Sequence, residues 1–156
     1  GEAALLWQLR AAMAPHDRLL LGLDRIKPVE VLEAAYNDAA GVTAAFNLNL
    51  LSVLNAELGT DFDCDGFAHR APFVAEQSRV EMHLVAQRAQ SVRVPEPAAV
   101  LEIAADEVIR TEISRKFSRE AVDGLLRSAG LQREAEWSTA DEWYSLFLLR
   151  PDQDSV

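Results

Sequence analysis

The feature that most limits the fold of this chain is a continuous apolar run at residues 18 to 24, RLLLGLD, between two helical patterns. Before it, Leu5, Leu6 and Leu9 share one helical face, and Pro15 ends the pattern. Unbroken apolar runs of this length are typical of buried strands in parallel sheets, whose carboxyl ends open into ligand-binding loops. A helix, a buried strand and a second helix in succession predict an α/β fold.

The charge balance excludes some partners. The chain of 156 residues has 15 basic and 25 acidic residues, a formal net charge of −10, and no cluster of Lys or Arg. Nucleic acid and anionic membranes are therefore not expected to be partners.

The single cysteine, Cys64, has no partner for an internal disulfide, and the first residues show no signal peptide. These features predict a cytoplasmic protein.

Two helices are expected after the apolar run. Val29, Leu32 and Tyr36 recur at helical spacing from Pro28 onwards. A second helix begins after Gly41 and ends at Gly59, since glycine is common at the C-terminal ends of helices. Its apolar stripe is expected to face the core and consists of Val42, Phe46, Leu50, Val53, Leu54 and Leu58.

Strand patterns dominate the rest of the sequence. Residues 78–87 and 108–117 alternate apolar and polar side chains, SVRV forms a short strand, and 95–105 is predicted to be a loop. Ser118 is expected to cap a helix, followed by two strands, LQREAEW and WYSLFLL. In 108–117, strict alternation predicts an entirely polar face made of Arg110, Glu112, Ser114 and Lys116.

Common catalytic patterns are not found. The glycines form no GxG loop for a phosphate or an adenosyl group, and no glycine pattern marks a nucleophilic serine. The acidic trio Asp61, Asp63 and Asp65 has the wrong offsets for a calcium loop, so a solvated turn is favoured and no metal site is predicted.

Two polar groups remain as candidates for binding. Tyr36, Asn37 and Asp38 lie at a junction between helices, and Glu112 and Ser114 project side by side from one strand. A carboxylate and a hydroxyl at this spacing can hold a ring that bears N–H groups, such as an imidazole. On spacing alone, a solvated polar face is the more common interpretation.

Several segments together resemble one enzyme family. They are LLLGLDRIKPVEVLEAAYNDAAGVTAAFNLNLLSVLNAELGTDFD, RVEMHL, IRTEISRKFS and AGLQREAEWS, in this order. The sequence resembles the histidine Nα-methyltransferase of ergothioneine biosynthesis, and AYNDAAGVTAAFN and TEIS are the most specific segments. The resemblance implies an enzyme that uses S-adenosylmethionine to trimethylate the α-amino group of L-histidine, giving hercynine.

The resemblance also implies an architecture and a pocket. Residues 1–26 and 117–156 would form the C-terminal part of a Rossmann-like class I methyltransferase sheet. Residues 27–116 would form an inserted α+β substrate-binding domain. Within it, Tyr36 would bind the amino-acid end of L-histidine, Glu112 and Ser114 its imidazole, and Met82 an apolar wall.

The sequence departs from the family pattern in its cofactor segments. The glycine-rich loop, an N-terminal helical part and a substrate-seating asparagine belong upstream of residue 1. A helix that begins at residue 2 without an N-cap residue agrees with this expectation. Cofactor-binding residues are therefore not expected in this chain, catalytic residues are not assigned, and another chain is a candidate to supply the cofactor half. The alternative is a non-catalytic amino-acid-binding module or partner subunit without its own cofactor site.

Overall fold

The computed structural model describes residues 1–152 and has two compact units. One unit combines residues 1–27 with the segment from residue 116 onwards, and the other is Pro28–Arg115. The helices are α1 (Glu2–Ala12), α2 (Val29–Tyr36), α3 (Val42–Leu58) and α4 (Arg119–Ser128). The strands are β1 (Leu19–Asp24), β2 (Phe67–Arg70), β3 (Phe73–Val74), β4 (Arg79–Ala86), β5 (Gln90–Val94), β6 (Ala99–Ile103), β7 (Val108–Arg115), β8 (Leu131–Ser138) and β9 (Tyr144–Pro151). This mixture of helices and sheets confirms the predicted α/β class.

The first unit has a three-stranded sheet in the order β1-β9-β8. Its strands are antiparallel, so the prediction of a buried parallel strand at residues 18–24 is wrong in the described structure. Leu19, Leu21 and Leu23 pack against the core, whereas Leu20 points to the other face and is 61% exposed. A continuous apolar run such as β1 can therefore have one face packed on the core and the other face exposed.

Helix α4 begins at a side-chain cap, as the sequence predicts. The Ser118 hydroxyl oxygen accepts a hydrogen bond from the backbone N–H of Ala121 at 3.1 Å. The helix buries Val122 and Leu126 in the same core as Phe147 and Leu149. The cap thus satisfies a backbone donor at the start of a helix that covers this core.

We expect Ser118→Ala to lower the free energy of unfolding by about 1 kcal/mol, because the cap bond is lost. Ser128→Ala is the matched control, since the Ser128 hydroxyl donates to the Leu125 carbonyl near the exposed end of the same helix. Chemical denaturation of both variants measures the difference. Equal losses in the two variants would contradict the capping role.

The second unit is built around β4. Strands β2 and β3 pair with β4, β7 also pairs with it, and β5 and β6 form a separate two-stranded sheet. The predicted loop at 95–105 is wrong, because Ala99–Ile103 pairs with β5 over its whole length. Prolines 95 and 97 obscure the strand pattern around it. The turn-rich segment 60–70 likewise contains β2.

Helix α3 ends at Gly59, which has the left-handed φ of 66° that favours glycine, as predicted. The predicted core stripe is wrong, however. The helix buries Asn47 and Leu51, whereas Val42 and Phe46 are both 68% exposed. Because α3 is apolar around much of its circumference, residue spacing does not identify the face that packs on the sheet.

Candidate substrate site

The side chains of Tyr36, Asn37 and Asp38 make separate sets of contacts. The Asn37 amide pairs with both backbone groups of Ala71, at 2.9 Å each, and also donates to the Glu33 carbonyl. The Asp38 carboxylate accepts from the backbone N–H groups of Val42 and Thr43, so it caps the start of α3. Asn37 and Asp38 therefore support the local fold.

The tyrosine instead contacts a second predicted site residue. Tyr36 is the last residue of α2, and its hydroxyl donates to Ser114 Oγ at 2.8 Å. Both side chains are partly buried. The structure thus brings together two residues that are 78 positions apart in the sequence.

A bulge in β7 changes the predicted faces of this strand. Met82 pairs with Glu112 and His83 pairs with Arg110, so Thr111 is the extra residue. Because neighbouring residues of β4 point to opposite faces, Arg110 and Glu112 also lie on opposite faces. Arg110 donates to Glu81 at 3.2 Å, on the face of His83. The prediction of one polar face that includes both Arg110 and Glu112 is therefore wrong, and the predicted fourth member, Lys116, is buried.

The bulge places Thr111 and Glu112 together beside α3. Both residues line a cavity of about 250 Å³ with residues of that helix. This volume is slightly below the ~300 Å³ at the lower end for ligand pockets. The helix contributes Phe46, Asn47, Asn49, Leu50 and Val53.

Met82 lies in the core beside this site. It is 3% exposed and belongs to a buried cluster with Leu32 and Val80, against which Tyr36 packs. The predicted residues Tyr36, Met82, Glu112 and Ser114 are thus neighbours, by contact or by strand pairing. Their roles in substrate binding stay a prediction.

Sequence reasoning missed Asn47, His69 and Thr111, which connect these predicted residues by hydrogen bonds. Asn47 is a polar residue on the face of α3 that is buried, but this face could not be identified from spacing. His69 has no motif around it. A one-residue bulge leaves no mark in the alternation of β7.

The charge of Asp38 makes its capping role testable by pH. Hydrogen bonds from the Thr43 hydroxyl and then from the backbone of Thr43 and Val42 lower the Asp38 pKa from 3.8 to about 2. A lowered pKa gives stability that is present above pH 3.8 and is lost as the pH falls towards 2. We expect the melting temperature of Asp38→Ala to be lower than that of the unchanged chain at pH 5, and the two to converge near pH 2. A pH-independent difference in calorimetric scans would contradict this assignment.

The family described as "Histidine-specific methyltransferase, SAM-dependent" matches residues 2–151 of this chain. The chain belongs to this family. Histidine N-alpha-methyltransferase of Mycolicibacterium smegmatis (strain ATCC 700084 / mc(2)155) is 47% identical over 138 residues, which cover 88% of this chain and 43% of that protein. The protein of the same name from Mycobacterium tuberculosis (strain CDC 1551 / Oshkosh) is 43% identical over 137 residues, with the same coverage of 88% and 43%.

A relative named for a different substrate also matches. L-tryptophan methyltransferase trpM of Psilocybe serbica is 27% identical over 158 residues, which cover 100% of this chain and 44% of that protein. The chain therefore spans less than half the length of these curated relatives. In the described residues, no helix is both long and apolar enough to span a membrane.

Proposed function

We propose that this chain supplies most of the L-histidine pocket of an S-adenosylmethionine-dependent N-methyltransferase. The reaction would methylate the α-amino group of L-histidine to hercynine, in ergothioneine biosynthesis. The observation that carries the proposal is the pairing of Glu112 and Ser114 with β4, next to the cavity beside α3 and with Tyr36 hydrogen-bonded to Ser114. The family match over residues 2–151 supports it.

Glu112 and Ser114 complement a neutral imidazole. In neutral imidazole, one ring nitrogen carries a proton and donates a hydrogen bond, and the other ring nitrogen accepts a hydrogen bond. A Glu112 carboxylate can accept from the first, and a Ser114 hydroxyl can donate to the second. An indole ring has one N–H and no acceptor nitrogen, so L-tryptophan would leave part of this arrangement unsatisfied.

Tyr36 would hold the amino-acid end of the substrate. Its hydroxyl lies 2.8 Å from Ser114 Oγ, so the amino-acid end would lie close to the ring nitrogen that Ser114 contacts, while Glu112 holds the other ring nitrogen. Fixing the ring and the amino-acid end leaves the α-amine in a defined position. A fixed amine is the main requirement for an in-line methyl transfer.

The methyl donor does not fit the residues of this chain. S-Adenosylmethionine supplies an activated methyl group, and its family site is built on a glycine-rich loop. The seven glycines of this chain are dispersed and form no such loop. As part of the proposal, the donor is bound mainly by segments outside this chain, in the same protein or in another chain.

The single cysteine favours a reducing compartment, and we expect the cytoplasm.

Calorimetric titration of the chain with L-histidine, L-tryptophan and S-adenosylmethionine tests the proposal. We expect L-histidine to bind more tightly than L-tryptophan, with no measurable binding of the cofactor. Equal binding of the two amino acids would contradict the imidazole assignment. Absence of any amino-acid binding would contradict a preformed pocket in this chain.

A non-catalytic amino-acid-binding module or partner subunit is the second candidate. It is favoured by the dispersed glycines, which form no GxG loop for an adenosyl group. Activity restored by adding a cofactor-binding half would exclude it. L-Histidine binding without restored activity would support it.

A further inference from the structure

A buried amide connects α3 with the strands beneath it. Asn47 is 3% exposed, and its Oδ1 accepts a hydrogen bond from Thr111 Oγ1 at 2.6 Å. Its Nδ2 donates to the His83 carbonyl at 3.1 Å and lies 3.0 Å from His69 Nδ1. The side chain thus joins the bulge of β7 to both β2 and β4.

The His83 carbonyl fixes the orientation of this amide. If the amide were turned over, Oδ1 would face a carbonyl oxygen, and two acceptors would meet in a buried position. The Nδ2 group is therefore the donor towards His69, and His69 Nδ1 accepts. In a neutral imidazole the proton must then be on Nε2, which lies 2.8 Å from the Tyr36 carbonyl oxygen and donates to it.

Tyr36 is consequently held at two points. Its carbonyl accepts from His69, and its hydroxyl donates to Ser114. Thr111, the residue before Glu112, is held by Asn47 and also contacts the Met82 carbonyl at 3.1 Å. Hydrogen bonds thus connect Tyr36 through His69 and Asn47 to Thr111 in the bulge of β7. Ser114 of the same strand contacts the Tyr36 hydroxyl.

We infer that Asn47 and His69 are positioning residues, which set Tyr36 and Glu112 at the separation that an amino acid with a ring N–H requires. This inference rests on the proposed function, because it concerns the same pocket. Asn47 also lines the cavity beside Glu112, so a change in its amide acts directly on the cavity wall. Neither residue is assigned a role in methyl transfer.

Asn47→Asp is the sharpest substitution. It keeps the shape of the side chain and an acceptor for Thr111, but it removes both donated hydrogen bonds and places an oxygen against the His83 carbonyl. We expect L-histidine to bind about tenfold more weakly, since each net hydrogen bond contributes about 0.5–1.5 kcal/mol and 1.4 kcal/mol is tenfold.

Asn55→Asp is the matched control on the same helix. Asn55 accepts from Thr60 Oγ1 and from the Phe62 backbone N–H, and it donates to the Phe62 carbonyl. Its substitution disrupts a similar set of bonds, and Asn55 is not among the residues that line the cavity. We expect a comparable loss of thermal stability and no change in L-histidine affinity.

Two variants of His69 separate positioning from simple filling of space. His69→Gln keeps an N–H that can reach the Tyr36 carbonyl, whereas His69→Leu removes every hydrogen bond of the ring. We expect the affinity for L-histidine to be highest in the unchanged chain, lower in His69→Gln and lowest in His69→Leu. Equal affinities in the two variants would overturn the role of His69.

A ligand-free readout keeps this inference separate from the proposed function. Nitrogen-15 spectra should show the Nε2–H tautomer for the ring whose signal disappears in His69→Gln. Asn47→Asp should shift the resonances of Tyr36 and Glu112, while Asn55→Asp should not. Unshifted resonances, or unchanged affinity in Asn47→Asp, would overturn the inference. If the unchanged chain binds no L-histidine but the shifts occur, the proposed function fails and the coupling between Asn47 and the site stands.

Discussion

Replacing Glu112 with alanine is expected to weaken L-histidine binding by about 10- to 100-fold, because hydrogen bonds to a charged group contribute about 1.5–3 kcal/mol. The carboxylate is exposed beside the cavity, so its loss should change the thermal stability little. Glu112→Gln keeps an acceptor oxygen and should fall between alanine and the unchanged chain. Calorimetric titration with L-histidine measures all three.

Glu102 provides the matched control for this experiment. It is also an exposed strand glutamate of the second unit, and its carboxylate accepts from the Ser91 hydroxyl at 2.5 Å. Glu102→Ala removes the same amount of negative charge without touching the cavity residues. A similar loss of affinity in Glu102→Ala would mean that net charge, and not the Glu112 contact, governs binding.

The largest stability effect is expected from Asp24→Ala. The side chain of Lys116 is 0% exposed and its ammonium lies 2.7 Å from Asp24 Oδ2, while Lys27 lies 2.7 Å from Oδ1. Removing one partner of a buried ion pair costs about 3–5 kcal/mol. Because the Asp24 side chain keeps 29% exposure and Lys116 has other contacts, we expect a loss near 3 kcal/mol.

The pKa of Asp24 gives a second measurement of this pair. Partial burial raises it, but hydrogen bonds and charges from Lys116 and Lys27 outweigh that effect, so the pKa lies below 3.8. The contribution to stability is therefore complete above pH 3.8 and declines as the pH falls below that value. Chemical denaturation at pH 7 and at pH 3 should show a smaller difference between Asp24→Ala and the unchanged chain at the lower pH.

A double variant tests the interpretation of the loss. Asp24→Leu/Lys116→Met removes the buried ammonium of Lys116 together with its carboxylate, while the Lys27 side chain is 18% exposed and can reach solvent. Replacing both members of a buried ion pair by apolar residues is often neutral or stabilising. We expect the double variant to recover most of the stability that Asp24→Ala loses. Failure to recover would show that packing around Asp24, and not the buried ammonium, determines the cost.

The sequence predicts those features that depend on neighbouring residues. The Ser118 cap, the Gly59 end of α3 and the alternating strand at 79–86 each have a local signal, and each is present. The packing face of α3 and the strand at 99–103 depend on tertiary contacts that no local pattern contains.

The same distinction holds for the candidate site. The resemblance to a known family identifies Tyr36, Glu112 and Ser114, and Tyr36 and Ser114 are in direct contact in the structure. The network of Asn47, His69 and Thr111 could not be predicted, because its members come from α3, β2 and β7. Each residue acquires its partner only when the sheet and the helix are packed.

The bulge at Thr111 determines which residue of β7 lies beside Glu112 in the cavity lining. In an unbroken pairing, Thr111 would pair with His83, and Arg110 would lie on the same face as Met82 and Glu112. The bulge instead puts Thr111 beside Glu112 in the cavity lining and leaves Arg110 on the opposite face, next to Glu81. Unbroken pairing would therefore place a guanidinium beside the Glu112 carboxylate and offset its negative charge, without any substitution at position 112.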